Sequence, residues 1–412
     1  MKKTLAALAV LGAFAGSAMA ADVTLYGVVD VGLQFTSSDS DIKGEDTVNT
    51  LEMKQGMQSG SRFGLKGVED LGNGMKVGFV LENGFNGDDG DFNQGGRMFG
   101  RESQLFVNGS FGEISFGRVG QLTSGNGTYG IAGSMTPFGT SWTGAIESSV
   151  YMVGFQRFDN TVTYKSPTFA GTTVYAQYSF GGNVLDEDKA DNDYDEGKST
   201  ANRYAALGAT FNAGNFSLVG TVDWYNWSSN LETTANVPAG DDLDDGYAVT
   251  LGATYDFQVV KAYLAAQYFD NMLKTSSESD DKMTFAKVGT GVLGQFKGYA
   301  VTAGVDAPVW GGTAMFAVGY TSTKACDKAG TVKIGDPAKD AANGKKAESE
   351  RWGVGIGYNY PLSKRTNVYA VAGYYQDKIT DEAVGGEDAT AVSYRDRDPS
   401  TTTVMLGMRH RF

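Results

Sequence analysis

Residues 21–35, with the sequence ADVTLYGVVDVGLQF, alternate between two kinds of side chain. Because successive side chains of a β-strand point to opposite faces of a sheet, the stretch predicts a strand with one apolar face. Such a strand fits a half-buried sheet in water or a membrane barrel with a lipid face and a wet lumen. The apolar parity holds Val23, Leu25, Gly27, Val29, Val31, Leu33 and Phe35.

Segments with similar alternation recur along the chain at roughly ten residues each, the length of a tilted membrane-spanning strand. We count sixteen of them, and the pattern therefore predicts an all-β fold, a 16-stranded antiparallel transmembrane β-barrel. The segments begin near Asp22, Ser61, Met75, Arg101, Glu113, Arg157, Gly171, Asn202, Asn215, Gly246, Gln258, Gln295, Thr313, Glu350, Asn367 and Thr401.

The connections between these segments are alternately short and long. Short ones include EDLGNG (69–74), NAG (212–214) and PLSKR (361–365). Long polar ones include 181–201 and 322–349. Bacterial outer-membrane barrels have short periplasmic turns and long extracellular loops, so this sorting favours the barrel over a soluble β-sandwich. Closing the sheet also removes the edges that lipid does not tolerate.

The first twenty residues have the organisation of a secretory signal peptide. Lys2 and Lys3 precede an apolar run at 5–14, and Ala18-Met19-Ala20 is a small-x-small cleavage site. The apolar run is shorter than the roughly 20 residues of a membrane-spanning helix. We therefore expect a cleaved signal peptide at 1–20 and a single barrel domain at 21–412.

Composition argues against several other functions. The formal net charge is −14, which disfavours a nucleic-acid partner. The chain has one Cys and one His, so it offers neither a Cys/His zinc cluster nor a well-placed Ser–His pair. We expect no enzyme activity, no cofactor and no metal site.

Several longer motifs carry a resemblance to a known family. The chain resembles the Gram-negative general porins, especially the branch found in β-proteobacteria and neisseriae. The matching stretches are DVTLYGVVDVG (22–32), SRFGLKGVEDLGNGMKVGFVLENGF (61–85), FGEISFGR (111–118), DNTVTYKSPTFAG (159–171), YPLSKRTNVYAVAGYYQ (360–376) and GMRHRF (407–412).

The resemblance implies a homotrimer of water-filled barrels in the outer membrane of a Gram-negative bacterium. The partners it implies are outer-membrane lipid, lipopolysaccharide, the barrel assembly machinery, and small solutes and ions. The chain ends inside a strand pattern on Phe412, which we interpret as the assembly signal.

The resemblance also implies that the third extracellular loop folds into the lumen. This constriction loop is residues 121–156, and Pro137, Phe138 and Gly139 resemble its tip motif. Glu147 is the only charged residue in the stretch, so the loop side of the constriction carries little negative charge.

Basic residues are candidates for the opposite wall of the constriction. Arg62 and Lys66 alternate with Phe63 and Leu65, which places them in the lumen when those apolar residues face lipid. Arg157 alternates with Phe158, which places Arg157 in the lumen when Phe158 faces lipid. Arg101 and Arg118 match wall arginines by motif, but Arg118 shares the parity of Phe116, so only a bulge would turn it inward.

The expected function is passive diffusion of ions and small hydrophilic solutes. Basic rings favour anions, whereas the loops at 183–198 and 240–246 are strongly acidic. Salt screens charges beyond roughly 8 Å, so wall charge should outweigh the loop tips and give a weak anion preference. Two alternatives stay open, namely a substrate-specific channel and a surface adhesin.

Overall fold

The computed structural model describes residues 23–139, 157–181, 196–197, 201–227, 244–272, 295–326, 348–385 and 392–412. The signal peptide expected at 1–20 lies outside these residues. No helix in these ranges is long and apolar enough to span a membrane.

Strands account for nearly all the regular structure of the described residues, and every neighbouring pair is antiparallel. Their bounds are β1 (Thr24–Asp39), β2 (Val48–Gln55), β3 (Arg62–Gly72), β4 (Met75–Gly84), β5 (Glu102–Gly109), β6 (Gly112–Gly120), β7 (Arg157–Lys165), β8 (Thr172–Ser179), β9 (Arg203–Ala213), β10 (Phe216–Asn226), β11 (Gly246–Asp256), β12 (Lys261–Met272), β13 (Phe296–Val309), β14 (Gly312–Ala325), β15 (Glu348–Pro361), β16 (Thr366–Gly385), β17 (Val392–Arg397) and β18 (Ser400–Arg411).

The eighteen segments form sixteen positions in the barrel wall. β2 and β3 pair with successive parts of β1 and occupy one position between them. β17 and β18 pair with successive parts of β16 in the same way. The count of 18 − 2 = 16 confirms the 16-stranded antiparallel barrel.

The first and last strands close the barrel. β1 pairs with β18 from Val28↔Arg411 to Asp39↔Ser400. At the chain end, the Gly27 N–H donates to the Phe412 carbonyl at 3.1 Å, and the Phe412 N–H donates to the Gly27 carbonyl at 3.1 Å. The last residue is therefore part of the seam, and closure pairs the backbone groups that an open sheet would expose to lipid.

The two faces of the wall differ in polarity. The inner parity is buried and polar, and Gln177 donates to Thr163 at 3.1 Å while Gln267 donates to Thr250 at 3.0 Å. The opposite parity carries large exposed apolar side chains, as expected of a lipid-facing band. They include Leu25, Leu33, Leu105, Phe116, Leu207, Leu251, Leu264, Val301, Ile356 and Leu406.

A substitution at Gly32 tests how tightly β1 and β18 pack at the seam. A Cβ there would lie 2.1 Å from the Leu406 carbonyl oxygen, and backbone does not move out of the way cheaply. We expect Gly32→Ala to destabilise the barrel by about 1–3 kcal/mol, measured as the urea midpoint of unfolding in detergent micelles. Gly220→Ala is the control, since the nearest atom there is 3.7 Å away. Equal midpoints for the two variants would contradict this packing.

Candidate functional site

The first half of the connection between β6 and β7 lies inside the barrel. Residues 121–139 run across the inner face of several strands, where glycines allow close approach because a Cβ would collide with the loop. Leu122 and Ile131 lie over Gly208 of β9, Met135 over Gly252 of β11, Pro137 over Gly304 of β13 and Phe138 over Gly357 of β15, with the closest approaches to the missing Cβ at 3.0, 2.5, 2.7 and 2.9 Å.

These glycines belong to the inner face. Gly208, Gly252 and Gly357 each follow or precede an exposed residue of the lipid face, such as Leu207, Leu251 or Ile356. Residues 121–139 of the loop therefore lie in the lumen. Of the predicted tip residues, Pro137 and Phe138 lie against this wall, and Gly139 follows them with φ +63°. Glu147 lies outside the described residues.

Asp223 of β10 anchors the start of this loop. Its carboxylate accepts hydrogen bonds from the Gln121 amide at 3.1 Å, the Tyr204 hydroxyl at 2.5 Å and the Thr123 hydroxyl. Asp223 is fully buried. Further along the loop, Tyr129 donates to Glu113 at 2.9 Å, and burial raises the pKa of the Tyr129 phenol well above its usual value. The loop is thus held by polar contacts as well as by its packing against the glycines of the inner face.

Aromatic rings stack behind the start of the loop. Phe158 and Tyr204 lie 4.1 Å apart between ring centroids, Tyr204 and Tyr225 lie 5.2 Å apart, and Tyr225 and Trp227 lie 5.4 Å apart. All four rings are buried with Leu122 in one apolar cluster. They support the loop and do not line the open lumen.

The inward position of Phe158 corrects the sequence interpretation, which placed it on the lipid face. The register between β6 and β7 shifts between Gly117 and Val119, and Asn160 adopts φ +53°. The shift reverses the alternation at the start of β7, so Phe158 packs inside. Arg157, which precedes it, donates to Asn126 of the loop at 3.1 Å.

Three of the predicted wall residues gather on the inner face around Glu82 of β4. Arg101 donates from Nε to Glu82 Oε1 at 2.7 Å, and Arg62 Nε lies 3.7 Å from Oε2. The Tyr26 hydroxyl donates to the same Oε2 at 3.0 Å, and Lys66 Nζ lies 5.2 Å from the Tyr26 ring centroid.

Strand register extends this group into a row of arginines. Val28 of β1 pairs with Arg411 on one side and with Arg62 on the other. Arg62 pairs in turn with Gly84, and the Arg101 side chain lies 3.0 Å from where a Gly84 Cβ would be. We call Arg411, Arg62 and Arg101 the arginine row.

Sequence reasoning missed Arg411 and its inner-face neighbour Arg409. The signal was present, because both alternate with Leu406 and Met408, which are exposed on the lipid face. The row and Lys66 carry four basic side chains, and the acidic groups beside them are Glu82 and its register partner Glu102.

Arg118 is not part of the arginine row. The register pairs Ser103 with Arg118 and Leu105 with Phe116, so Arg118 shares the face of those two exposed apolar residues. It donates to Asp159 at 2.7 Å and to the Gly100 carbonyl at 2.7 Å. The register shift between β6 and β7 is a bulge of the kind expected near Arg118. It turns Phe158 inward, however, and does not bring Arg118 to the arginine row.

Comparison with known proteins agrees with this architecture. The sequence model of the Gram-negative porin family matches residues 6–380. An outer membrane porin protein of Bordetella pertussis is 32% identical, with both chains covered in full. Outer membrane porin protein 32 of Delftia acidovorans is 30% identical, again over 100% of both chains. Among solved structures, the anion-selective porin from Comamonas acidovorans superposes with a TM-score of 0.63 at 26% identity, covering 95% of this chain and 100% of that one.

The fold and the lumen define a channel, and the matches identify its kind. The chain belongs to the Gram-negative porin family. It is a β-barrel of the outer membrane, and its function is passive diffusion through the lumen.

Removing the Asp223 carboxylate tests the anchor of the inward loop. We expect Asp223→Ala to leave the buried Tyr204 hydroxyl without its acceptor, which costs about 1–3 kcal/mol, and to remove one of two partners from Gln121 and from Thr123. The loop should then move more, giving a noisier open-channel current in planar bilayers. Ser217→Ala, at an exposed position of the same strand, is the control. An unchanged current noise in Asp223→Ala would argue against the anchor.

Proposed function

We propose that this porin is a general diffusion channel with an anion preference set by the arginine row. The observation that supports this most strongly is the register that aligns Arg411, Arg62 and Arg101 on the inner face. Basic side chains that ring a narrow aqueous path favour anions. The related porin from Comamonas acidovorans is described as anion-selective, which agrees with the proposal.

The position of the charges determines whether the lumen wall or the acidic loops at the pore mouth set the ion selectivity. The chain as a whole is acidic, with a net charge of −14, and much of that charge lies in the long loops. A charge is screened over roughly 8 Å at physiological salt, so an ion in the narrow part interacts mainly with the wall. The local excess of basic groups beside Glu82 therefore sets the preference in this proposal.

The proposed constriction has two sides. The wall side comprises Arg62, Lys66 and Arg101 from the sequence prediction, together with Arg411. The loop side comprises the tip at Pro137–Gly139 and, as its acidic component, Glu147. Arg157 contributes through its contact with Asn126 in the loop. Arg118 is proposed to stabilise the wall through Asp159 and not to contact passing ions.

The alternative functions receive less support from the geometry. A substrate-specific sugar channel needs an aromatic track open to solutes, whereas the stacked rings from Phe158 to Trp227 are buried. We propose that the chain acts as a channel and not as an enzyme. We also propose a homotrimer that contacts lipopolysaccharide and is assembled by the outer-membrane machinery through Phe412, on the strength of the family resemblance.

Neutral substitutions in the arginine row test the proposal. Two unit charges 4 Å apart interact by about 1 kcal/mol even in water, so removal of one arginine should lower the chloride-to-potassium permeability ratio by about fivefold. We expect this of Arg62→Gln and Arg101→Gln in zero-current potentials across a planar bilayer under a KCl gradient. Glu82→Gln should move the potential in the opposite direction.

Lys364→Gln is the matched control, since Lys364 is exposed in the short turn between β15 and β16. Potentials of Arg62→Gln and Arg101→Gln that equal the Lys364→Gln value would show that the row does not set selectivity.

A further inference from the structure

A second piece of chain folds into the lumen. Residues 56–61 connect β2 to β3, and Gly56, Met57, Gln58 and Ser59 are buried there. We call residues 56–60 the inner segment. The segment lies against the inner face of β1, where a Cβ on Gly32 would lie 2.6 Å from Met57 Cε. The lumen is therefore narrowed from the side of the first strands as well as by the loop at 121–139.

Asp30 of β1 holds the inner segment by its backbone. Asp30 Oδ2 accepts hydrogen bonds from the Gln58 N–H at 2.9 Å and the Ser59 N–H at 2.7 Å, and Oδ1 accepts one from the Tyr369 hydroxyl at 2.6 Å. The Asp30 side chain has no exposed surface. A buried carboxylate is stable only when it is well hydrogen bonded, so these donors and the carboxylate depend on one another.

Arg409 and Asn367 complete the attachment. Arg409 pairs with Asp30 across the seam and donates from Nη1 to Ser59 Oγ at 2.7 Å. Its Nε donates to Asn367 Oδ1 at 3.0 Å, and Asn367 Nδ2 donates to Gln58 Oε1 at 2.8 Å. The charges of Asp30 and Arg409 are thus engaged with the inner segment and its support.

The far end of the inner segment contacts the arginine row. The Gly60 carbonyl accepts a hydrogen bond from Arg62 Nη1 at 3.4 Å, and Arg101 Nη1 lies 2.8 Å from where a Gly60 Cβ would be. At the other end, Met57 belongs to the same apolar cluster as Phe138 of the inward loop. The inner segment therefore lies between the loop tip and two members of the arginine row.

We propose that Asp30 is a positioning residue for ion selectivity, acting through the inner segment to hold Arg62 and Arg101 at the constriction. The inference rests on the proposed role of the arginine row. It assigns the placement of those charges to a carboxylate that passing ions do not reach.

The sign of the effect separates positioning from direct electrostatics. If Asp30 acted by its own negative charge, its neutralisation would raise the preference for anions. If it positions the arginines, neutralisation lets them spread over several positions and lowers that preference. Tyr369→Phe removes a hydrogen bond to Asp30 without changing any charge, so direct electrostatics predicts no change for it.

The experiment measures zero-current potential and open-channel noise for the purified porin in planar bilayers under a KCl gradient. We expect Asp30→Asn and Tyr369→Phe to lower the chloride-to-potassium permeability ratio by about twofold and to increase the noise, because a displaced unit charge loses part of its interaction with a passing ion. Asp256→Asn, the same chemical change at an exposed strand end, is the control.

An increased anion preference in Asp30→Asn, or potentials of both variants equal to the Asp256→Asn value, would overturn the inference. Where Asp30→Asn does not fold, Tyr369→Phe and Ser59→Ala give the same test, since Ser59→Ala removes the Arg409 contact. Arg62→Gln is measured in the same series. A shifted potential in Arg62→Gln with unchanged potentials in the Asp30, Tyr369 and Ser59 variants would reject the positioning role of Asp30 and leave the proposed function intact. An unchanged potential in Arg62→Gln would reject the proposed function itself.

Discussion

Every backbone N–H and C=O group inside the membrane needs a partner, and this constraint underlies the whole structure. In hydrocarbon the strands satisfy it only by closing into a barrel, which β1 and β18 do along a long continuous register. Irregular backbone is tolerated at this depth only inside the lumen. The two inward pieces of chain meet the constraint with side chains of the wall. Asp30 accepts backbone N–H groups of the 56–60 segment, and Glu102 accepts the Thr128 N–H of the 121–139 loop.

The same alternation that forms the lipid face also determines where charge can lie. Residues opposite Leu25, Leu65 and Leu406 project into the lumen, which brings Arg62 and Arg411 to either side of Val28. Arginine at midplane on the lipid face costs about 2–4 kcal/mol, so the inner face is the stable place for unneutralised basic groups. Arg118, on the outer parity, instead pairs with Asp159, which also pairs with Arg97. The net positive charge of the arginine row is thus available to ions, while Arg118 is held in an ion pair.

Alternation and loop lengths were sufficient to predict the strand number, the antiparallel barrel and the inner position of Arg62 and Lys66. Those inferences depend only on the two-residue period of a strand. The position of Phe158 could not be predicted in this way, because one extra residue in β7 reverses the period and no local sequence signal marks it. The contacts of Asp30 and Glu82 could not be predicted for a different reason. Their roles come from contacts with residues far away in sequence, such as Gln58 and Arg101, and strand periodicity carries no information about such contacts.

The most direct test of this account is the zero-current potential of the purified, unmodified porin in a planar bilayer, measured at several ionic strengths under a fixed KCl ratio. The account predicts a potential that favours chloride near physiological ionic strength, where charges beyond roughly 8 Å are screened, and that shifts towards potassium as the salt concentration falls and the acidic loops act over longer distances. A potential that favours potassium near physiological ionic strength would contradict it and would assign selectivity to the acidic loops at the mouth.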